Sequence, residues 1–477
     1  MLLAVQSLFA QKLYFSNIPR LNNKAYYNKV IGENAQGIFI LRFRDIDMRN
    51  GFSVEQYSHN LDYIGAENYN LGKREKLVKI FSTDSGLVLI KSSIFKGKTS
   101  YSYIIKGLKQ TTPGESVVFY ESTTIEKVDK AIEVEYSLNR KYCAVWIEES
   151  NKRGDQDFRC FVFSTDGKIV TNTQYHTNYP SEDVSIDQLS VGDSGQSAMI
   201  FLLEKSDRKI SDAHAEVHYI LTTRQNRIHA PIPFGDSKYF IASYDLVYNQ
   251  FKNNFFIAAL YDFKKPKAAH GILEFDFIPG DSIVEPVFSP ISRKFVAIVL
   301  GAAEADEGKD PENYYIKKIV PRSDGGYLVV AEYFEISQQM ETFYLNGVPQ
   351  ISSKSIYNYN DILLFALGNN GTIKWEHEIN KMQSSYAGLS YLSSIGIYVC
   401  ENSVNIIYND NSNQNNRVIH IALGKDGAIE QKILLNSETE YTAIIPMEGR
   451  QIGYNRYVAP LIQNRQLSLL EILNNQK

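Results

Sequence analysis

Cysteine, tryptophan and long apolar runs are what this chain has least of. Its 477 residues include three Cys, two Trp and six Met. Three Cys is an odd count, so a disulfide framework is not what holds the chain together. Cys143 and Cys160 sit inside strand-like runs; they read as small buried hydrophobes, with one cross-strand bridge left open. The best apolar run, Phe295 to Ala303, is about half of the roughly 20 residues a membrane-spanning helix needs. Charge of one sign is lacking too, since 50 Lys and Arg against 54 Asp and Glu leave a net charge of −4. Phosphate binding needs a basic face, so nucleic acid is excluded as the main partner.

Catalytic signatures are also missing. There is no Gly-x-Ser-x-Gly elbow, no Gly-rich phosphate loop and no His-Glu-x-x-His. No catalytic residue, metal site or cofactor is therefore expected. His214-Ala-Glu-Val-His218 comes nearest to a metal motif. On a strand, adjacent same-face residues stand almost 7 Å apart, a poor fit to one tetrahedral ion, so a solvated strand face is expected. The acidic run from Glu304 to Glu312 lacks the spacing of a calcium loop.

What is present is ordinary bulk with one bias. A hydrophobic share of 44% and a charged share of 22% exclude wholesale disorder. The bias is 32 Tyr and 25 Phe, residues that suit strands and half-wet surfaces. Runs of four to eight β-branched and aromatic residues recur, broken by Asp-Gly and Asn-Gly pairs, and long 3.6-residue stripes are nearly absent. Three segments are near copies of a strand, a tight turn and a returning strand; they start at Cys160, Leu363 and Val418. In each, Gly supplies the positive φ that a two-residue hairpin demands.

Weaker copies complete a series with tips at Leu61, Gly107, Gly167, Arg227, Asp281, Gly371 and Gly427. The intervals are 46, 60, 60, 54, 90 and 56 residues, and five of the six suit one four-stranded blade. The pattern predicts an all-β chain, a single seven-bladed β-propeller, with six or eight blades left open. A pair of β-sandwiches is the rival, but the repeat runs end to end without a linker. Strands such as Phe39–Phe43 and Ala144–Ile147 would line the axis. Pairing of the first strand after Gln11 with the terminal run from Tyr454 to Leu473 would close the ring. The 90-residue interval is too long by about 35 residues, and places loop insertions near 302–313 and 337–361. In the second, Phe343, Tyr344, Tyr357 and Tyr359 lack the alternation of a buried strand and are candidate partner-binding residues. The competing expectation is that these rings fold back over the adjacent blade.

Leu2 to Ala10 is apolar except for Gln6 and Ser7, and polar sequence begins at Gln11. That reads as a signal-peptide remnant over 1–10 with cleavage after Ala10, which would make 11–477 the exported domain. The rival is a plain first strand.

Arg322-Ser-Asp-Gly-Gly-Tyr-Leu-Val-Val-Ala-Glu-Tyr resembles the Asp-Gly-Gly-Tyr strand openings of exported propeller-like proteins of the Bacteroidota. Within that group, size and the lack of a catalytic motif resemble the periplasmic plug subunit of type 9 secretion translocons. The resemblance implies a non-catalytic plug or scaffold, peripheral to the outer membrane, whose partner is a large outer-membrane β-barrel translocon. The alternative is a secreted or cell-surface propeller that binds or cleaves glycans. Ser82, Asp84 and Gly86 resemble part of the Asp box of sialidase-type propellers, with Leu89 in place of its Trp. Such boxes shape turns remote from any active site.

Overall fold

The computed structural model describes residues 10–475 except 17–26, 45–47, 49–50, 85, 108–113, 123–131, 151–153, 204–215, 224–226, 233–238, 278–285, 347, 411–416, 437–441 and 464–465. Residues 1–9, Asp281 and His214 thus lie outside the described residues.

The described residues form eight antiparallel sheets in succession, and the architecture is a β-propeller. Seven sheets are four-stranded meanders, spanning 27–69, 75–121, 132–180, 184–231, 240–290, 314–386 and 396–436. The eighth combines strands of 442–475 with the N-terminal strand Ala10–Phe15. Its first position is split between Thr442–Ile444 and Arg450–Gly453, both paired with Arg456–Gln463. The expected closure is present: Ala10 faces Asn475 and Phe15 faces Leu470 in antiparallel register.

The blade number corrects from seven to eight, and the reason is topological. Every one of the seven tips, where described, lies at the turn between the third and fourth strands of its sheet. The eighth sheet has no such turn, because its fourth strand is the start of the chain and its third is the end. Counting these hairpins therefore returns one fewer than the number of sheets. The strands expected to line the axis share one place in their sheets. Phe39–Phe43 and Ala144–Ile147 lie in the second strand of their sheets, hydrogen-bonded on both sides. That double flanking is what makes them continuous apolar runs. The second strand of the fifth sheet, Asn254–Asp262, is buried at all nine positions.

The chain divides into two compact units, Met1–Leu87 with Phe334–Asp361 and Asn380–Lys477, and Val88–Tyr333 with Ile362–Ile379. In the first unit, Val30, Ile40, Tyr57, Val458 and Leu469 form one core cluster, and Tyr398, Ile407, Ile444, Tyr457 and Ile472 another. A buried polar network adds to the closure there. The Gln11 amide donates to the His420 ring, which also meets the Tyr398 hydroxyl at 3.0 Å and Asn405 Oδ1 at 3.1 Å. Asn405 and Asn474 both donate to Cys400 Sγ. Burial pushes the His420 ring down to about 3, so it stays neutral.

In the second unit, Phe256 stacks on Tyr327 with centroids 3.4 Å apart, among Phe295, Val329, Leu363 and Phe365. The apolar run at 295 belongs to a helix, Arg293–Leu300, whose Ser292 side chain caps it by accepting from the Phe295 N–H. The insertion near 302–313 begins with a second short helix, Ala302–Asp306, so it is not all loop. Cys143, Cys160 and Cys400 are all buried, and none is in a disulfide. Cys160 faces Trp146 and Cys143 faces Phe163 across one strand pair, so the two thiols are out of register for a bridge.

Candidate functional site

The sixth sheet departs from its neighbours. Its second and third strands, Tyr327–Leu345 and Val348–Leu367, run 19 and 20 residues, whereas its first, Tyr314–Pro321, has eight. The first strand pairs with the second only as far as Tyr333. Beyond that point the two long strands form a projecting hairpin, bordered on one side by the fourth strand, Ile373–Tyr386. Within the segment 337–361, expected as a loop, residues 337–345 and 348–361 are therefore strand, and this is a correction.

The physical reason lies in how the hairpin is held. Cross-strand polar pairs fix it where burial does not. Gln338 bonds Ser353 and Ser355, Asn358 donates to Ser337 at 3.1 Å, and Lys354 meets Glu341 at 2.6 Å. Polar pairs of this kind leave no apolar alternation for a sequence reading to find.

The four nominated aromatics separate in this geometry. With a strand period of two, these pairings put Phe334, Met340, Tyr344, Tyr357 and Tyr359 on one face, and Phe343 on the other with Lys354 and Tyr386. Tyr357 and Tyr359 lie at the base, half-buried against Phe334, with ring centroids 6.4 and 4.8 Å away. Lys381 donates to the Tyr359 carbonyl and to Gln383, and Gln383 in turn donates to the Asn409 carbonyl of the seventh sheet. These two rings do fold back onto structure. Phe343 and Tyr344 do not; they stand 47% and 73% exposed at the far end. Met340, Leu345, Val348 and Ile351 are exposed beside them, and the sequence alone does not single out those four. Their signal was visible as apolar residues within a polar segment, but without strand register they had no face to belong to.

The titratable clusters elsewhere are accounted for by packing. Asp262, His270 and Asp310 bring ligand-type atoms within 4.8 Å of one another, the one such group among the described residues. Asp310 is already met by Arg293 at 2.6 Å and by the His270 ring at 3.1 Å. Asp262 accepts the backbone N–H groups of Lys264 and Lys265. Arg293 also donates to the carbonyls of Ala305 and Lys309. The cluster thus acts as a clasp that ties the 302–313 segment to the helix before it, and a cation would have to displace a guanidinium.

His218 corrects the solvated face expected around it. It is 2% exposed and stacks on Phe201 at 4.9 Å, with Tyr179 and His229 nearby. The His229 ring is held below its ordinary value by burial and by His218.

A glycan-cleaving reading requires a pair of carboxylates open to a sugar. One buried carboxylate with a second beside it is Glu274, two residues from Asp276 on one strand. Burial, then the Asp276 charge, pushes Glu274 up to about 8. It is covered, however, by the turn at Gly371, where a Cβ would come 2.1 Å from its Oε1. Asp276 is engaged by Asn254, Tyr327 and Lys252. Asp245 is half-buried and is pushed up to about 7 by desolvation, against the opposing pull of Lys318.

No protein-family model matches the chain, and no curated protein matches it. Among solved structures, the WD40 domain of SCAP from fission yeast is similar over 99% of both chains, with 7% identity and a TM-score of 0.41. An uncharacterized protein from Listeria monocytogenes is similar over 83% of this chain and 94% of its own, at 7% identity and a TM-score of 0.36. The α-L-arabinofuranosidase Arb93A from Fusarium graminearum, solved with an iminosugar inhibitor, is similar over 73% of this chain and 98% of its own, at 12% identity and a TM-score of 0.34. None of these likenesses assigns an activity.

Proposed function

We propose that this chain is a non-catalytic protein-interaction propeller of the cell envelope, with the exposed end of the long hairpin as its contact element. The observation that carries the reading is that end itself. Met340, Phe343, Tyr344, Leu345, Val348 and Ile351 are 47% to 74% exposed on a two-stranded ribbon. Apolar side chains gathered this way mark contact sites, and Phe and Tyr are efficient anchors because they bury large areas at small entropic cost. Folding of the sixth sheet needs none of them, since the buried part of each long strand ends before they begin.

The narrower reading is an exported, periplasmic plug or scaffold subunit held at a large outer-membrane β-barrel of a type 9-like secretion machine. The strand opening at Arg322 and the apolar sequence before Gln11 support it. No helix among the described residues is long and apolar enough to cross a membrane. The test is capture from detergent-solubilised native envelopes, with the intact chain compared to a Phe343→Ser, Tyr344→Ser double variant. An integral outer-membrane protein retained by the first and lost by the second is the expected result. Equal capture by both would remove the hairpin from the contact.

A further inference from the structure

The hairpin carries a second feature besides its apolar side chains. From Ile336 to Tyr344 the outer edge of its outgoing strand is bordered by no strand among the described residues. Such an edge offers a row of N–H and C=O groups to another chain, and natural sheets guard theirs with Lys, Pro, bulges or short length. This stretch, Ile-Ser-Gln-Gln-Met-Glu-Thr-Phe-Tyr, has no Lys, Pro or Gly. Its one charge, Glu341, is neutralised within the hairpin by Lys354. An unguarded edge of nine residues is suited to pairing.

We propose that this edge pairs with the same edge of a second copy of the chain, antiparallel about a two-fold axis at Met340. The inference deepens the contact role of the hairpin and rests on it. A two-fold axis normal to a sheet keeps each residue on its own face, so opposed positions must share parity and the axis must pass through a residue. Centred on Met340, the register sets Ile336 against Tyr344, Gln338 against Thr342, and Met340 against itself. On the other face Ser337 meets Phe343, and Gln339 meets Glu341. One face then pairs apolar with apolar and polar with polar, and no like charges oppose each other anywhere. Moving the centre by one residue sets Ile336 against Thr342, or Tyr344 against Gln338. A strand from an unrelated protein would gain the same main-chain bonds, but nothing would match these side chains.

Cysteine cross-linking in the full chain tests the register. The native Cys143, Cys160 and Cys400 are buried and do not compete. Under mild oxidation, Met340→Cys should close rapidly into a covalent dimer, because its two copies face each other. Ile336→Cys alone and Tyr344→Cys alone should not, whereas a mixture of the two should cross-link between copies. Tyr454→Cys, at a 63% exposed position elsewhere, serves as the collision control. Cross-linking of Met340→Cys no faster than that control overturns the proposal, as does a monomer in sedimentation at about 100 µM chain, well above an ordinary dimer constant. Envelope capture reads Phe343 and Tyr344 separately. A monomeric protein that still captures its partner therefore overturns self-pairing alone and leaves the contact role standing.

Discussion

One strand of the sixth sheet lives in two environments. From Tyr327 to Glu332 every residue is buried, among them Val329, Val330 and Ala331 with no exposure at all. From Glu335 to Leu345 nearly every residue faces water, though Ile336, Met340, Phe343 and Leu345 are as apolar as those at the base. Composition alone does not separate the halves; neighbours do. The base has flanking strands and a packed core, so its apolar residues do the work of folding. The far end has a partner strand but no core, and a lone two-stranded ribbon is marginal in water. Residues that neither fold the protein nor hide from solvent are available for another surface.

Substitutions along the hairpin should widen that contrast. Phe365→Ala, in the buried half of the returning strand, should cost about 3–5 kcal/mol of unfolding free energy in denaturant titration, as a large core ring lost to a cavity does. Gly371→Ala should cost less, on the order of 2 kcal/mol, since its φ is 79° and the new Cβ would meet Glu274.

Glu274→Gln should give a pH-dependent effect. The Glu274 carboxyl ionises near 4.5 when unfolded and near 8 when folded, so between those values the folded state holds the extra proton. Stability of the native chain should therefore fall as pH rises through that window and level off above it. The Gln variant, lacking this titration, should be more stable than the native chain at pH 9 by on the order of 1–3 kcal/mol. At pH 4 the two should match. Parallel unfolding curves at both pH values would refute the assignment.

Tyr344→Ala is the smallest expected change, within about 0.5 kcal/mol in stability, because the side chain is exposed. Its effect should appear in partner capture instead.

Most of the fold was legible because its punctuation is chemical. Asx-Gly turns at Gly167, Gly371 and Gly427 take positive φ, as their sequence demands. The eighth sheet was hidden because its last strand comes from the opposite end of the chain, where no local turn signal can announce it. Of the six exposed apolar residues of the candidate site, two stood out in the sequence. Phe343 and Tyr344 could be picked out as aromatics in a polar stretch, but Tyr357 and Tyr359 look the same in sequence and are claimed by Phe334 and Lys381. Which aromatics are free depends on strand register and on a seventh-sheet neighbour some 50 residues away in sequence, at Asn409.

The most direct measurement removes the exposed half and leaves the packed half. Residues 338–355 would be replaced by an Asn-Gly turn, so that Ser337 and Ile356 are joined while Tyr357 and Tyr359 keep their places. Binding of this trimmed chain to the envelope partner is then titrated beside its thermal unfolding. The account predicts a chain that unfolds cooperatively close to the native temperature and no longer binds. A trimmed chain that binds with native affinity, or one that fails to fold, would contradict it.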